Sequence, residues 1–234
     1  MPLACRVRKD DVLLLISHPN EVVWIRCVGG HLPILAEGLA WRCSGVWRQC
    51  YPAPVGTQVI VLNGTSSAGK TSMGRCLQSM LSTPWLLLGI DDLTRAVPDK
   101  GIEDGTLLHV TDTGQVEVGP GWWSLEASWY VGIATIAASG TGVIVDEVLL
   151  DGRAGQERLR AALSGLEVLW VCVTCDRDIA REREALRPDR VAGQADSQAP
   201  IVHEGVEYDL VVDTSHTNSE SCAATILERA STAV

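Results

Sequence analysis

Apolar residues along this chain fall into short unbroken runs separated by segments of helical spacing. The runs are Val59-Ile60-Val61-Leu62, Trp85 to Ile90, Gly142 to Val145, Val168 to Val173 and Leu210 to Val212. Continuous rather than alternating apolarity is the pattern of strands buried on both faces. Between the runs, Met73, Leu77, Met80 and Leu81 recur at helical spacing. So do Leu125, Trp129, Ile133 and Ile136 up to Gly140, then Leu159, Ala162, Leu163 and Leu166, and finally Cys222, Ile226 and Leu227. Strand and helix alternate, which predicts an α/β fold with a five-stranded parallel sheet and helices on both faces.

Before Val55 the pattern differs. Only residues 12–16 and 21–27 read as strands, and the segment holds Cys5, Cys27, Cys43 and Cys50, half of the eight cysteines. Cys27, His31, Cys43 and Cys50 are a conceivable zinc set, but they lack the close cysteine pairs such sites use. A small appended hairpin is a second reading. The reading the composition favours is that the working protein starts near Val55. The expected division is therefore residues 1–55 as an N-terminal extension and 56–234 as the main domain.

The 234 residues carry 19 basic and 29 acidic side chains, a net charge of −10. At roughly 100–200 residues per domain, that length means one domain or one plus an appendage. Arg6, Arg8, Lys9, Arg26, Arg42 and Arg48 outnumber Asp10, Asp11, Glu21 and Glu37 before residue 56, so the acidity lies wholly in the remainder. An acidic main domain lacks the basic face that nucleic acid requires. With 46% hydrophobic residues the chain is core-forming, not disordered. No apolar run is long enough for a secretory signal or a membrane span. The scattered cysteines fit a reduced, cytoplasmic protein.

The first apolar run leads directly into Gly64-Thr65-Ser66-Ser67-Ala68-Gly69-Lys70-Thr71, followed by Ser72 and a helical pattern. This matches the phosphate-binding signature G-x-x-x-x-G-K-[ST] in its strand-to-helix context. Glycines let backbone N–H groups converge on phosphates, and the helix N-terminus adds partial positive charge. Lys70 is placed for the β- and γ-phosphates of ATP, and the Thr71 hydroxyl for Mg2+. The second run ends at Asp91-Asp92, at the carboxyl ends of the strands where ligands sit in such sheets. Asp91 there is either a base for a substrate hydroxyl or a helix cap; two adjacent acids allow both roles. The third run ends at Asp146, a Walker-B-type ligand for Mg2+.

Downstream, Arg183, Arg187 and Arg190 share one helical face at a spacing where like charges repel. They read as a lid over 183–200 whose cations close on a triphosphate; the alternative is a solvated face neutralised by Asp178, Glu182, Glu184 and Asp189. Pro188 should end the helix near Leu186. The Gly-, Asp- and Thr-rich stretch from Val97 to Trp122 is too long for a plain connection. Of Trp85, Trp122, Trp123 and Trp129, one or two are expected to face a ligand. Cys172 and Cys175, on a strand, point to opposite faces and read as core. His203 and His216 have no evident partner.

Taken together, Asn63–Thr71 in one-letter form NGTSSAGKT, the stretch 75–79, Asp146-Glu147-Val148, Val168-Leu169-Trp170-Val171, Asp189-Arg190-Val191-Ala192-Gly193 and residues 202–209 resemble the chloramphenicol phosphotransferase family. The resemblance runs from about Gln58 to the C-terminus. It implies a nucleoside-monophosphate-kinase-like P-loop fold. It also implies an ATP- and Mg2+-dependent transfer of phosphate to a hydroxyl of a small antibiotic such as chloramphenicol, giving resistance. Asp91 matches the family's catalytic aspartate, and Arg183, Arg187 and Arg190 its lid arginines. Glu147 stands where the family commonly has Asp, and Thr71 where it has Ser. Alternatives are a kinase of another hydroxylated antibiotic, metabolite or nucleotide, and a nucleotide-binding drug sensor without catalysis. The expected partner is a small molecule, with neither nucleic acid nor membrane; homo-oligomerisation is left open.

Overall fold

The computed structural model describes residues 56–187 and 191–232, together with three strand segments before residue 28. Those segments, β1 (Arg6–Arg8), β2 (Asp11–His18) and β3 (Glu21–Cys27), form an antiparallel meander within a unit spanning 1–42. Cys27 lies in β3, while His31, Cys43 and Cys50 fall outside the described residues.

The second unit is built on β4 (Val59–Asn63), β5 (Trp85–Gly89), β8 (Gly142–Glu147), β9 (Val168–Thr174) and β10 (Leu210–Asp213). They form one sheet in the order β10-β9-β4-β8-β5, with every neighbouring pair parallel. All five predicted strands are therefore present. Because side chains alternate across a strand, β4 feeds two cores. Ile60 and Leu62 pack with Met73 and Leu77 of α1 (Lys70–Met80) and with Ala223 and Ile226 of α8 (Ser219–Thr232). Val59 and Val61 pack on the other face with Ile133 and Ala137 of α4 (Trp122–Ala138) and Leu159 of α5 (Arg153–Ala162).

The stretch between Val97 and Trp122 is not a structureless loop. It folds into α3 (Asp99–Glu103) and a hairpin of β6 (Leu108–Val110) and β7 (Val116–Val118), after α2 (Ile90–Ala96). Leu93, Val97, Leu108 and Trp122 make a third, smaller core beneath it. α6 (Arg177–Ala185) ends at Leu186, as Pro188 requires, and α7 (Gln194–Gln198) follows. Among the described residues, no helix is long and apolar enough to cross a membrane.

The sheet register sets the site. Asp146 lies between Leu62 and Gly89, so the carboxyl ends of β4, β8 and β5 deliver the phosphate loop, Asp146 and the start of α2 to one place.

Candidate active site

The loop after β4 is shaped by close approach and by side chains from distant elements. Gly64 touches β9 so closely that a Cβ would lie 2.3 Å from the Val173 carbonyl oxygen. Ser67 adopts a φ of 60° and Gly69, the residue before α1, a φ of 86°. Thr214 Oγ1 donates to Ala68 O at 2.8 Å, and the Ser66 N–H donates to Gln198 Oε1 at 2.6 Å. Behind the loop, Asn63 Nδ2 donates to Val202 O and Tyr208 Oη, and its Oδ1 accepts from the Leu149 N–H.

Lys70 is buried, its Nζ donating to Gly64 O at 2.9 Å and Thr65 O at 2.8 Å, with Asp146 Oδ1 at 3.7 Å. Thr71 Oγ1 donates to Asp146 Oδ2 at 2.5 Å, so the two expected metal ligands are in contact. A cavity of about 360 Å³ opens onto this arrangement. Ser66, Ser67, Gly69, Lys70, Thr71 and Ser72 line it, while Gly64, Thr65 and Ala68 lie behind. The buried hydroxyls of Ser66 and Ser67 have no hydrogen-bond partner among the described residues. Orphaned donors, a buried lysine and the N-terminus of an eleven-residue helix fit a polyphosphate. No group of three or more His, Cys, Asp or Glu that could hold a metal occurs among the described residues. The Thr71–Asp146 pair suits Mg2+, which keeps several waters and binds through one or two protein oxygens plus phosphates.

The adjacent aspartates divide their work. β5 stops at Gly89, one residue earlier than the sequence run, because both acids enter the first turn of α2. Asp92 accepts from the Gly89 N–H at 2.7 Å and pairs with Arg95, which makes it the cap. Asp91 lines the cavity with Lys70 and Asp146.

The arginine stripe divides as well. Arg177 and Arg181 bond Asp196, while Arg183 and Arg187 line the cavity. Arg183 Nη2 donates to Thr214 O at 2.7 Å, which holds the guanidinium beside the phosphate loop. Glu184 is buried instead of solvated, and its carboxylate accepts from the Gly193 and Ala195 N–H groups at the start of α7. Arg190 lies outside the described residues.

At the far end of the cavity the hairpin contributes Leu108, Val110, Val116 and Val118, and α4 contributes Trp122 and Trp123. Trp85 and Trp129 belong to the cores, so two tryptophans face the cavity. Several lining residues carry no sequence motif. Arg158 of α5 donates from Nε to Glu126 Oε2 at 2.7 Å and from Nη1 to Asp151 Oδ2 at 2.6 Å. Its guanidinium also stacks over Trp123 at 4.5 Å. Glu147 is fully buried, accepting from the Val148 N–H and, at 3.3 Å, from the Tyr130 hydroxyl. Burial pushes its carboxyl up to about 8. His203 does have partners: its Nδ1 meets the Tyr208 hydroxyl at 2.7 Å and Cys172 Sγ at 3.6 Å. Cys172 and Cys175 are both free thiols.

The family model described as chloramphenicol phosphotransferase-like protein matches residues 57–231. A Mycobacterium tuberculosis protein, described as a candidate O-phosphotransferase and found in two strains, is 28% identical over 172 residues, covering 68% of this chain and 76% of its own. Among solved structures, a sugar kinase from a Janibacter species is similar with a TM-score of 0.56 at 17% identity, over 74% of this chain and 93% of that one. The APS kinase of Mycobacterium tuberculosis, solved with AMPPNP and APS, is similar with a TM-score of 0.52 at 12% identity, over 75% and 98% of the two chains. These structural likenesses establish a P-loop kinase fold.

Proposed function

Since the chain belongs to the chloramphenicol phosphotransferase-like family and is a phosphotransferase, we propose that it moves the γ-phosphate of ATP to a hydroxyl of a small hydroxylated molecule, of the antibiotic class that chloramphenicol represents. The observation that carries this reading is one cavity lined by Lys70, Thr71, Asp146 and Asp91 together. A phosphate-holding end and the Asp91 carboxylate meet there beside an apolar wall. Every described residue lining that cavity lies after residue 56, so the reaction is assigned to 56–234, with 183–200 as its lid.

In this reading the phosphate loop, Lys70 and the α1 N-terminus hold the β- and γ-phosphates, and Thr71 and Asp146 hold Mg2+. The metal supplies neutralisation of charge on the phosphate oxygens. Arg183 and Arg187 approach the transferred group from the lid, a role that the family resemblance also gives to Arg190. Asp91 accepts the acceptor's hydroxyl proton as that oxygen bonds to the γ-phosphorus and the bond to the β–γ bridging oxygen breaks, releasing ADP. Asp92 keeps α2 capped and so fixes where Asp91 stands. The family's chemistry supports a cytoplasmic protein acting on a diffusible substrate.

The test is Asp91→Asn with hydroxylated antibiotics as acceptors and mass spectrometry of the products. ATP affinity should persist while turnover falls by about 10²–10⁴-fold, the usual worth of a positioned base. Transfer at the wild-type rate would remove Asp91 from the mechanism. Tight ATP binding with no phosphorylated product from any acceptor would favour a nucleotide-dependent sensor instead.

A further inference from the structure

The two ends of the cavity carry opposite charge. At the phosphate end stand Lys70, Arg183 and Arg187 with Asp146 and Asp91, three cations against two acids; at the hairpin end stand Glu126 and Asp151 with Arg158, two acids against one cation. The hairpin-end cation is engaged on two sides. Arg158 Nε bonds Glu126 Oε2 at 2.7 Å, and its Nη1 and Nη2 bond the two Asp151 oxygens at 2.6 and 3.3 Å. One guanidinium between two carboxylates leaves that corner with a net charge of about −1. Glu126 is almost fully buried, and among the described residues no hydrogen bond reaches its second oxygen. Stacking on Trp123 holds the guanidinium in place, so it is not positioned to swing out and receive an anion. Beside this corner the wall is apolar, made by Val110, Val116, Val118 and Trp122.

Resting on the phosphotransferase reading above, though not on an uncharged amide such as chloramphenicol as its acceptor, we propose that the acceptor is a hydroxylated molecule carrying one protonated amine and no anionic group, with the amine seated against Glu126 and Asp151. A cation there completes the charge of the Glu126–Arg158–Asp151 corner. A carboxylate or phosphate on the acceptor meets that net negative charge in a partly desolvated pocket, a penalty on the order of 100-fold in affinity relative to the amine. The apolar body of the acceptor lies on the hairpin wall, which aims its hydroxyl toward Asp91. The opposed charges also sort the two substrates, because a triphosphate is repelled from the hairpin end and an ammonium from the lid arginines.

The test uses the full chain and three probes sharing one primary hydroxyl: p-nitrophenyl aminopropanediol as the free amine, its N-acetyl amide and its N-succinyl amide. Binding is measured by calorimetry at neutral pH with Mg2+ and a non-hydrolysable ATP analogue, and products are followed by mass spectrometry with ATP. The amine should bind about tenfold tighter than the acetyl amide, and the succinyl derivative on the order of 100-fold weaker than the amine. Glu126→Gln and Asp151→Asn, each isosteric, should bring the amine-to-amide ratio close to one while leaving affinity for the ATP analogue intact, which also reports that the fold is retained. Equal or tighter binding of either amide, or an amine preference that survives both substitutions, overturns the proposal, as does failure of all three to bind. The charge ranking in binding without phosphoryl transfer would sink the kinase reading and leave the recognition standing. Transfer to all three at equal rates would do the reverse.

Discussion

His203 sits behind the phosphate loop, bonded through Nδ1 to the Tyr208 hydroxyl, which in turn accepts from Asn63. Asn63 also holds Val202 and the Leu149 N–H, so one side chain ties the loop's supporting strand to two later segments. Asn63→Ala should destabilise the protein by about 1–3 kcal/mol for each buried group left without a partner, measurable by urea unfolding. The histidine carries a pH signature. Burial, and secondarily the Lys70 charge, hold its pKa below the ordinary 6.5. The unfolded chain therefore binds a proton first as pH falls, and the folded state loses stability below about pH 6.5. The slope is at most about 1.4 kcal/mol per pH unit for one group. In His203→Gln this contribution disappears, so its melting temperature should fall less steeply on acidification than the wild type's. Parallel melting curves from pH 7 to 5 would contradict this. The contacts of this network were not visible in the sequence, because Asn63 lies 145 residues from Tyr208, and His203 and Tyr208, five residues apart, repeat at no diagnostic spacing.

Among elements, the hairpin and α7 share a boundary. The turn between β6 and β7 presents Gly114 O to Ser197 Oγ at 3.0 Å, and a Cβ on Gly114 would meet the Gln194 N–H nitrogen at 2.4 Å. α7 in turn reaches the phosphate loop through Gln198. The hairpin that lines the cavity and the brace on the loop are thus one connected piece. Gly114→Ala should push the hairpin off α7 and raise the acceptor KM by about tenfold, since small misplacements cost heavily in orientation. Ser197→Ala removes one hydrogen bond, about 0.5–1.5 kcal/mol, and should raise it only a few-fold. An unchanged acceptor KM in both would separate the hairpin from acceptor binding. The hairpin was legible in principle, as Leu108-His109-Val110 and Val116-Glu117-Val118 alternate around a glycine turn, but strands of three residues give little signal against a Gly- and Asp-rich background. α4 misleads differently. Hydrophobic spacing picks out Leu125, Trp129, Ile133 and Ile136; Ile133 is buried and the other three pack at the edges of the cores, while the buried face also holds Trp122, Glu126, Tyr130 and Ala137. Two polar residues on that face serve the cavity, and polarity hid them. The strands were readable because burial on both sides leaves no room for polar positions.

For the molecule as a whole, the site depends on the sheet carrying a buried cation at its carboxyl edge. Lys70 is held by Gly64 O, Thr65 O and Asp146, all of them features of the folded sheet and loop. The unfolded chain has no such cradle, so a nucleotide binds the native state alone and stabilises it by mass action. At 100 times its Kd, an ATP analogue with Mg2+ should contribute about 2.7 kcal/mol. For a chain of this size each kcal/mol is worth roughly 2–4 °C, so the melting temperature should rise by about 5–10 °C. Lys70→Met removes the charge and should abolish most of that rise while lowering the melting temperature of the free protein, because two carbonyls and Asp146 lose their shared donor. Asp91→Asn should keep the full rise, since the proposed mechanism gives Asp91 the acceptor's proton and no part in holding the nucleotide. The pair of variants therefore separates holding phosphate from using it: loss of the thermal shift in both would place Asp91 in nucleotide binding, and persistence in both would move the phosphate site away from Lys70.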